Sequence, residues 1–195
     1  MAEIPEKFRA FLAIRLNDQS EVAIANLIDE ARRESDGIRW VSRKNLHLTL
    51  KFLGPAVARA KIEALINAVG PLAKATAPFD LAARGVGGFP NLERPRVVWV
   101  GLEGPALNAL ASRVEDAAAA CGFDRERRAF SAHLTIGRVN SLRGYGRTLR
   151  LLEAARDRDF GTSRIDSVTL YRSTLATGGS LYTPIRVLQF AVERP

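Results

Sequence analysis

Cysteine and histidine are scarce in this chain of 195 residues, which contains one Cys and two His. One Cys excludes an internal disulfide and a thiolate metal cluster, and two His leave too few ligands for most histidine-based metal sites. No apolar run approaches the roughly 18 residues that a membrane-spanning helix needs. The sequence therefore predicts no metal, no other cofactor and no membrane span.

The overall composition is that of a globular protein, with 47% hydrophobic and 26% charged residues. This length suits one compact domain or two small lobes that share a core. The first 14 residues (MAEIPEKFRAFLAI) carry charges where a secretory signal peptide would be apolar. A cytoplasmic protein is therefore predicted, and we expect it to be a monomer.

Basic residues outnumber acidic ones, 29 to 21, which gives a formal net charge of +8. A basic surface concentrates phosphate-bearing molecules around a protein and accelerates their encounter with it. The excess indicates an anionic partner in general terms, although 24 of the 29 basic residues are Arg, which also fits a compositional bias.

Both histidines begin the same short motif, HLTL at residues 47–50 and HLTI at residues 133–136, an offset of 86 residues. The same offset relates residues 11–14 (FLAI) to 97–100 (VVWV) and residues 79–81 to 165–167. Internal self-similarity of this kind indicates two copies of one structural unit.

Hydrophobic periodicity gives each copy the same predicted order of elements, strand, helix, histidine strand, helix, strand. The predicted strands are 8–16, 45–53, 79–86, 96–102, 131–139 and 164–172, and the predicted helices are 18–35, 57–69, 105–121 and 147–157. The glycine-rich stretch 85–90 opens a predicted linker that runs to Pro95, and residues 181–193 favour a final hairpin or added strands.

These elements predict an α+β protein that forms a single bilobal domain over residues 1–195. Lobe 1 is expected at about 8–90 and lobe 2 at about 95–195. Each lobe is predicted to be an antiparallel sheet with helices on its outer face. The active-site cleft would then lie between two pseudo-symmetric lobes.

Strand alternation separates the motif residues into two faces. His47 and Thr49 share one face and Leu48 and Leu50 the other, and the second motif repeats this arrangement with His133, Leu134, Thr135 and Ile136. A lone strand histidine is more often structural than catalytic. Packing against helices, however, explains the apolar face and gives no reason for polar residues on the opposite one.

Two imidazoles facing each other suit general acid–base catalysis, because a pKa near 6.5 lets one ring be neutral and the other cationic at neutral pH. The neutral ring can accept a proton from an attacking water, while the cationic ring donates one to the leaving oxygen. Thr49 and Thr135 can donate hydrogen bonds to non-bridging phosphate oxygens. Such a site cleaves a strained cyclic phosphodiester without a metal.

The motifs and their flanking segments resemble the two-histidine phosphoesterase superfamily and, within it, the bacterial and archaeal RNA 2′,3′-cyclic phosphodiesterases, also called 2′-5′ RNA ligases. The segments that carry the resemblance are RAFLAI (9–14), IRWV (38–41), NLHLTLKFLG (45–54), GVGGFP (85–90), PRVVWVG (95–101), FSAHLTIGRV (130–139) and LYRS (170–173). The resemblance implies a bilobal fold and metal-independent hydrolysis of RNA 2′,3′-cyclic phosphate ends to 2′-phosphates.

The resemblance also implies roles for the motif residues. His47 would be the general acid on the O3′ leaving group and His133 the base on water, with the reverse assignment open, while Thr49 and Thr135 would hold the phosphate oxygens. Arg138 is a further candidate for binding substrate, but strand alternation places it opposite His133 unless the strand bulges. The alternative role for Arg138 is a surface ion pair.

Aromatic and basic residues outside the motifs are weaker candidates. Alternation places Phe52 on the core face, which favours a packing role over base stacking. Tyr182, Tyr145 and Phe89 could offer a stacking surface or be core or rim residues. The segment 125–150 holds seven Arg and one Glu, which fits either a track for the RNA backbone or a solvated loop.

The motif residues are compatible with other functions. The same groups would serve a 2′-5′ RNA ligase, which runs the reverse reaction, or a phosphodiesterase of small cyclic nucleotides. A non-catalytic RNA- or nucleotide-binding module is the alternative of another class. The intact His and Thr of both motifs count against it, because binding alone needs no pair of titratable acid–base groups.

Overall fold

The computed structural model describes residues 5–34, 37–177 and 179–192. The strands are β1 (Lys7–Ile14), β2 (Ile38–Trp40), β3 (Leu48–Ala58), β4 (Phe79–Phe89), β5 (Val97–Glu103), β6 (His133–Val139), β7 (Asp159–Ile165), β8 (Ser167–Ala176) and β9 (Gly179–Gln189). The helices are α1 (Asp18–Arg32), α2 (Arg59–Lys74), α3 (Leu107–Ala120) and α4 (Tyr145–Ala154), and Arg43–Asn45 forms a 3₁₀ turn. The predicted α+β class is confirmed.

The strands form a continuous antiparallel sheet in the order β7-β4-β5-β6-β3-β1-β8-β9, and β2 pairs with β6. We call β3, β1, β8 and β9 the first half of the sheet, and β7, β4, β5, β6 and β2 the second half. The halves meet where β3 pairs with β6 at Leu48 and Leu134. The two histidine strands are therefore neighbours at the centre of the sheet.

The division of strands between the halves differs from the predicted lobe boundary at about 90–95. β4 pairs with β5 rather than with the strands that precede it, and β8 pairs with β1. β4, the last strand of the first repeat copy, thus lies in the second half of the sheet beside β5. β8, at the end of the second repeat copy, lies in the first half beside β1. The order of equivalent elements predicted from the repeat is present, but each half is built from both copies.

Helices cover one face of the sheet. α2 packs against α3 and onto β3 and β9, while α1 packs against α4 and β7. The apolar motif residues are buried on this side, in the core that the helices share with the strands, namely Leu48, Leu50, Leu134 and Ile136. The opposite face is left to the polar residues of the motifs, as strand alternation predicted.

Local signals mark the ends of two helices. The Asn17 side chain accepts a hydrogen bond of 2.9 Å from the backbone N–H of Ser20 and caps the N-terminus of α1. Gly122 follows α3 with a positive φ of 77°, the conformation that commonly ends a helix. No described helix is long and apolar enough to cross a membrane.

Two predicted elements differ in the structure, and one strand of the structure was not predicted. The glycine-rich stretch predicted to open a linker lies within β4, where residues 86–89 pair with β5. The single strand predicted at 164–172 is two strands, β7 and β8, separated at Asp166. β2 was not predicted, because three residues are too few to show a period. Residues 35 and 193, the ends of two predicted elements, lie outside the described residues.

Candidate active site

The two histidines lie beside the junction between the halves of the sheet. His47 directly precedes β3, and His133 is the first residue of β6. Both rings line one cavity of about 610 Å³ on the face away from the helices, and Thr49 and Thr135 line it as well. The structure thus brings together the four residues predicted from the paired motifs.

Each imidazole is held through Nδ1 by a backbone carbonyl two residues earlier in the chain. The Nδ1 of His47 lies 2.7 Å from the carbonyl oxygen of Asn45, and the Nδ1 of His133 lies 2.8 Å from that of Ser131. Because a carbonyl can only accept, each Nδ1 carries the proton and donates it. Nε2 is then the atom of each ring that takes up or releases a proton.

Aromatic rings pack around His47. Its ring centroid lies 4.9 Å from that of Phe11 and 5.1 Å from that of Tyr182, which meets the imidazole nearly edge-on at 84°. Phe11 in turn contacts Tyr171. These contacts fix the plane of the imidazole and remove much of the water around it, so Tyr182, predicted as a weak stacking candidate, supports a histidine and lines the cavity.

Burial is the main cause of a lowered pKa at His47. The charges of Arg15 and Arg138 lower the pKa further, and the hydrogen bond to Asn45 opposes them without restoring the ordinary value of 6.5. In the free protein His47 is therefore biased toward the neutral form.

A β-bulge in β3 reverses the alternation on which the prediction for Phe52 was based. Ala13 pairs with Thr49 and Leu12 with Lys51, so Leu50 is an extra residue with no partner on β1. Beyond the bulge, Lys51 is buried and Phe52 returns to the cavity face, where it is 42% exposed. The prediction that Phe52 belongs to the core is wrong.

A second bulge lies at the equivalent place in β6. Trp99 pairs with Thr135 and Val98 with Gly137, which leaves Ile136 as the extra residue. Arg138 therefore lies on the same face as His133 and lines the cavity. The bulge that the sequence analysis required for Arg138 to approach substrate is present, and no ion pair holds this guanidinium among the described residues.

A third bulge, in β4, directs Phe89 to the cavity side. The pairing with β5 shifts between Arg84 and Val86, and Gly85 adopts a φ of 74° there. A Cβ at Gly85 would lie 2.6 Å from the carbonyl oxygen of Arg156, so glycine is required at this position. Phe89 then meets the ring of His133 edge-on, with centroids 5.0 Å apart.

Three arginines give the cavity a positive potential. Arg9, Arg39 and Arg138 line it, and none of the described residues in its wall is Asp or Glu. Arg39 and Arg138 face each other directly across the β2–β6 pair, where like charges repel unless an anion lies between them. The guanidinium of Arg9 lies 4.3 Å from the ring centroid of Phe52.

Arg9, Arg39 and Phe11 are site residues that were not predicted from the sequence. Arg39 lies on a strand of three residues, and Arg9 and Phe11 lie on a strand that carries no motif. The one available signal was their position in the segments RAFLAI and IRWV, which contributed to the family resemblance.

The other weaker candidates, Tyr145 and the arginines of segment 125–150, have different environments in the structure. Tyr145 is buried on α4, where its hydroxyl donates to the carbonyl oxygen of Leu92 at 2.8 Å and burial raises its pKa to about 12. It is a core residue and offers no stacking surface. In the arginine-rich segment 125–150, Arg125 pairs with Asp116 at 2.8 Å, whereas Arg147 and Arg150 lie on α4, in the helical layer.

Metal ligands are not grouped in the part of the chain that the structure describes. Within residues 5–34, 37–177 and 179–192, no cluster contains three or more of His, Cys, Asp and Glu placed to hold a metal ion. The chemistry available from the cavity residues themselves is proton transfer at two Nε2 atoms and binding of an anion by arginines and threonines.

Comparison with known proteins identifies relatives over most of the chain. The family model of the 2′-5′ RNA ligase superfamily matches residues 20–176. A protein named RNA 2′,3′-cyclic phosphodiesterase from Methanothermobacter thermautotrophicus is 33% identical over 184 residues, which cover 94% of this chain and 99% of the relative.

Solved structures share the fold. The protein TT0787 of Thermus thermophilus superposes with a TM-score of 0.78 at 26% identity, covering 95% of this chain and 100% of its own. Escherichia coli LigT in complex with 3′-AMP gives a TM-score of 0.73 at 29% identity, covering 95% of this chain and 99% of its own. Together with the paired motifs, these matches show that the chain belongs to the 2′-5′ RNA ligase superfamily of two-histidine phosphoesterases.

Proposed function

We propose that this protein hydrolyses the 2′,3′-cyclic phosphate end of RNA to a 2′-phosphate. The observation that carries the proposal is the pair of Nδ1-anchored histidines in one cavity that contains three arginines and, among its described lining residues, no carboxylate. A cyclic phosphodiester is an anion whose cleavage needs one proton removed from water and one delivered to the leaving oxygen. The relatives named RNA 2′,3′-cyclic phosphodiesterase support this choice of substrate.

Proton transfer in the proposed reaction runs through the two Nε2 atoms. Neutral His133 takes a proton from water as the water oxygen forms a bond to phosphorus. The bond from phosphorus to O3′ breaks, and cationic His47 donates its proton to O3′. The phosphate remains on O2′, and the two rings return to their starting states by exchanging protons with solvent.

The threonines and arginines stabilise the charge that builds on phosphorus during this step. The hydroxyls of Thr49 and Thr135 lie on the same face as the two histidines and can donate to the non-bridging oxygens. Arg39 and Arg138, which face each other without an intervening carboxylate among the described residues, supply positive charge where the phosphate binds.

Substrate charge makes the acid role of His47 compatible with its lowered pKa. Burial and the charges of Arg15 and Arg138 favour the neutral ring in the free protein. A bound phosphate monoanion offsets those charges and favours the imidazolium, because opposite charges in a water-poor site interact strongly. His47 would thus take up its proton as the substrate binds.

The proposal is tested with an oligonucleotide that ends in a 2′,3′-cyclic phosphate, incubated with the protein in EDTA. We expect turnover to a 2′-phosphate, and a loss of about 10²- to 10⁴-fold for His47→Ala and for His133→Ala. Abolition by EDTA would contradict the metal-free reaction, and a mild effect of either substitution would contradict that histidine's role. Tight binding without turnover by the wild-type protein would instead favour a binding module.

Ligation needs the same groups, because the 5′-hydroxyl of a second RNA can take the place of water as the nucleophile that attacks phosphorus while O3′ leaves. The family description names this ligase activity. Supplying an RNA with a free 5′-hydroxyl end in the same assay distinguishes the two, since a ligase then forms a 2′-5′ linkage in competition with hydrolysis. We also propose that the protein is a cytoplasmic monomer, which light scattering and cell fractionation would test.

A further inference from the structure

A second cavity of about 870 Å³ adjoins the catalytic one, and the part of it beyond their shared wall is not used by the reaction described above. The two cavities share Thr49, Phe52, His133, Thr135 and Arg138 in their walls. From this shared region the second cavity extends over the second half of the sheet, toward Phe89, Phe130, Arg96 and Arg128. We call it the upstream groove.

We propose that the upstream groove binds the nucleotide on the 5′ side of the cyclic phosphate end. This inference rests on the proposed function and narrows its substrate class to oligonucleotides of at least two residues. The cyclic phosphate must lie between the two histidines, which places it where the two cavities join. The terminal nucleoside then occupies the catalytic cavity beside Tyr182, and the chain leaves through the groove.

Aromatic rings supply the first argument for this occupant. Phe52, Phe89 and Phe130 line the groove, and Phe52 and Phe89 are 42% and 36% exposed. Exposed phenyl rings beside a phosphate site favour a ligand with flat faces, because nucleobases stack on them whatever their sequence.

Charge supplies the second argument. The basic lining residues are Lys51, Arg96, Arg128 and Arg138, and the acidic ones are Glu115 and Glu126. Both carboxylates are already engaged, Glu115 by Lys51 at 2.7 Å and Glu126 by the backbone N–H of Arg127 at 3.0 Å. No ion pair among the described residues holds Arg96, Arg128 or Arg138, so these three remain available to a phosphodiester.

Hydrogen bonds between β3, α3 and the loop after α3 hold the wall of the upstream groove in place. Lys51, next to the bulge in β3, donates to the carboxylate of Glu115 on α3 at 2.7 Å and to the carbonyl oxygen of Asp124 at 2.6 Å. The same carboxylate accepts from the backbone N–H of Glu126 at 2.9 Å. These bonds tie the loop that carries Arg128 and Phe130 to the strand that follows His47, so this wall is held in register with the catalytic histidines.

Substrate length tests the proposal. We expect wild-type kcat/KM for a dinucleotide ending in a 2′,3′-cyclic phosphate to exceed that for adenosine 2′,3′-cyclic phosphate by about 5- to 100-fold, the gain from one stacked base. Phe130→Ala and Arg128→Gln should each reduce this ratio toward one and leave hydrolysis of the mononucleotide unchanged. Arg125→Gln is the matched control, because Arg125 lies in the same loop but pairs with Asp116.

Equal wild-type kcat/KM for the two substrates would overturn the proposal. So would an equal loss on both substrates in the variants, which would place the terminal base in the groove instead. Arg128 is exposed, so its variant remains informative if Phe130→Ala lowers the thermal midpoint. If the wild-type protein turned over neither substrate, the proposed function would fail. The groove would then be tested by calorimetry, as the ratio of the Kd values for the mononucleotide and dinucleotide 2′-phosphates.

Discussion

At the scale of single residues, the environment of the two histidines separates what the sequence predicts from what it does not. The HLTL and HLTI motifs predicted which side chains share a cavity, because alternation along a strand is a local property. The Nδ1 hydrogen bonds and the rings of Phe11 and Tyr182 around His47 depend on distant parts of the chain. No local pattern could have indicated these contacts, which leave Nε2 free in each ring and favour the neutral form of His47.

The pKa of His47 gives a prediction at this scale. It should titrate below 6.5 in the free protein, because burial and the charges of Arg15 and Arg138 favour the neutral ring. A nucleoside 2′-phosphate should raise this pKa by adding negative charge, and Arg138→Gln should raise it by removing positive charge. NMR of ring-labelled protein can measure these values, since the chain contains two His and a His133→Asn variant assigns the signals.

The Arg125→Gln variant serves as the control for that titration, because Arg125 is paired with Asp116 and is absent from the groups that affect His47. A midpoint at or above 6.5 in the free wild-type protein would contradict this account of the site. So would a midpoint that does not respond to the nucleotide.

At the scale of secondary-structure elements, β-bulges determine which residues reach the cavity. The extra residues Leu50 in β3 and Ile136 in β6 turn Phe52 and Arg138 onto the histidine face, and Gly85 does the same for Phe89 in β4. Arg138 was predicted to need a bulge to reach the cavity, whereas Phe52 was predicted to favour the core. A bulge inserts one residue without changing the apolar pattern enough to be recognised, so its position could not be predicted from alternation.

The bulge in β3 also buries Lys51 against Glu115 of α3, which gives a prediction on stability. Glu115→Gln should lower the free energy of unfolding at pH 7 by about 1–3 kcal/mol, because it removes the charged partner of a Lys that is 5% exposed. Asp116→Asn on the same helix is the control, with an expected loss below about 1 kcal/mol, because its ion pair with Arg125 is exposed.

The stability difference between the wild-type protein and Glu115→Gln should depend on pH. Burial raises the pKa of Glu115, but hydrogen bonds from Lys51 and from the backbone N–H of Glu126 outweigh it and leave the pKa below 4.5. A carboxyl with a lowered pKa stabilises the fold above its unfolded pKa, and this contribution is lost as the pH falls through the folded value. Denaturant titrations should therefore show the free energies of unfolding of the wild-type protein and Glu115→Gln converging below pH 4.5. A difference that stays constant with pH would contradict the role of the ion pair.

At the scale of the whole molecule, the exchange of β4 and β8 between the halves explains why the cleft joins parts of the chain that are distant in sequence. The offset of the repeat predicted equivalent strands but could not predict which of them pair, because pairing depends on contacts between copies. As a result His47, which directly precedes β3, and His133 on β6 belong to neighbouring strands of one sheet rather than to two separate sheets. In the proposed reaction, the two copies of the motif supply the acid and the base.

The central claim, that His47 is the acid and His133 the base, is tested most directly by replacing the O3′ leaving atom of the cyclic phosphate with sulfur. A thiolate leaves without being protonated, because a thiol is far more acidic than an alcohol. The account predicts that His47→Ala, strongly impaired on the oxygen substrate, recovers most of its kcat relative to wild type on the sulfur substrate. His133→Ala should remain impaired on both, whereas rescue of His133→Ala, or of neither variant, would contradict the assignment.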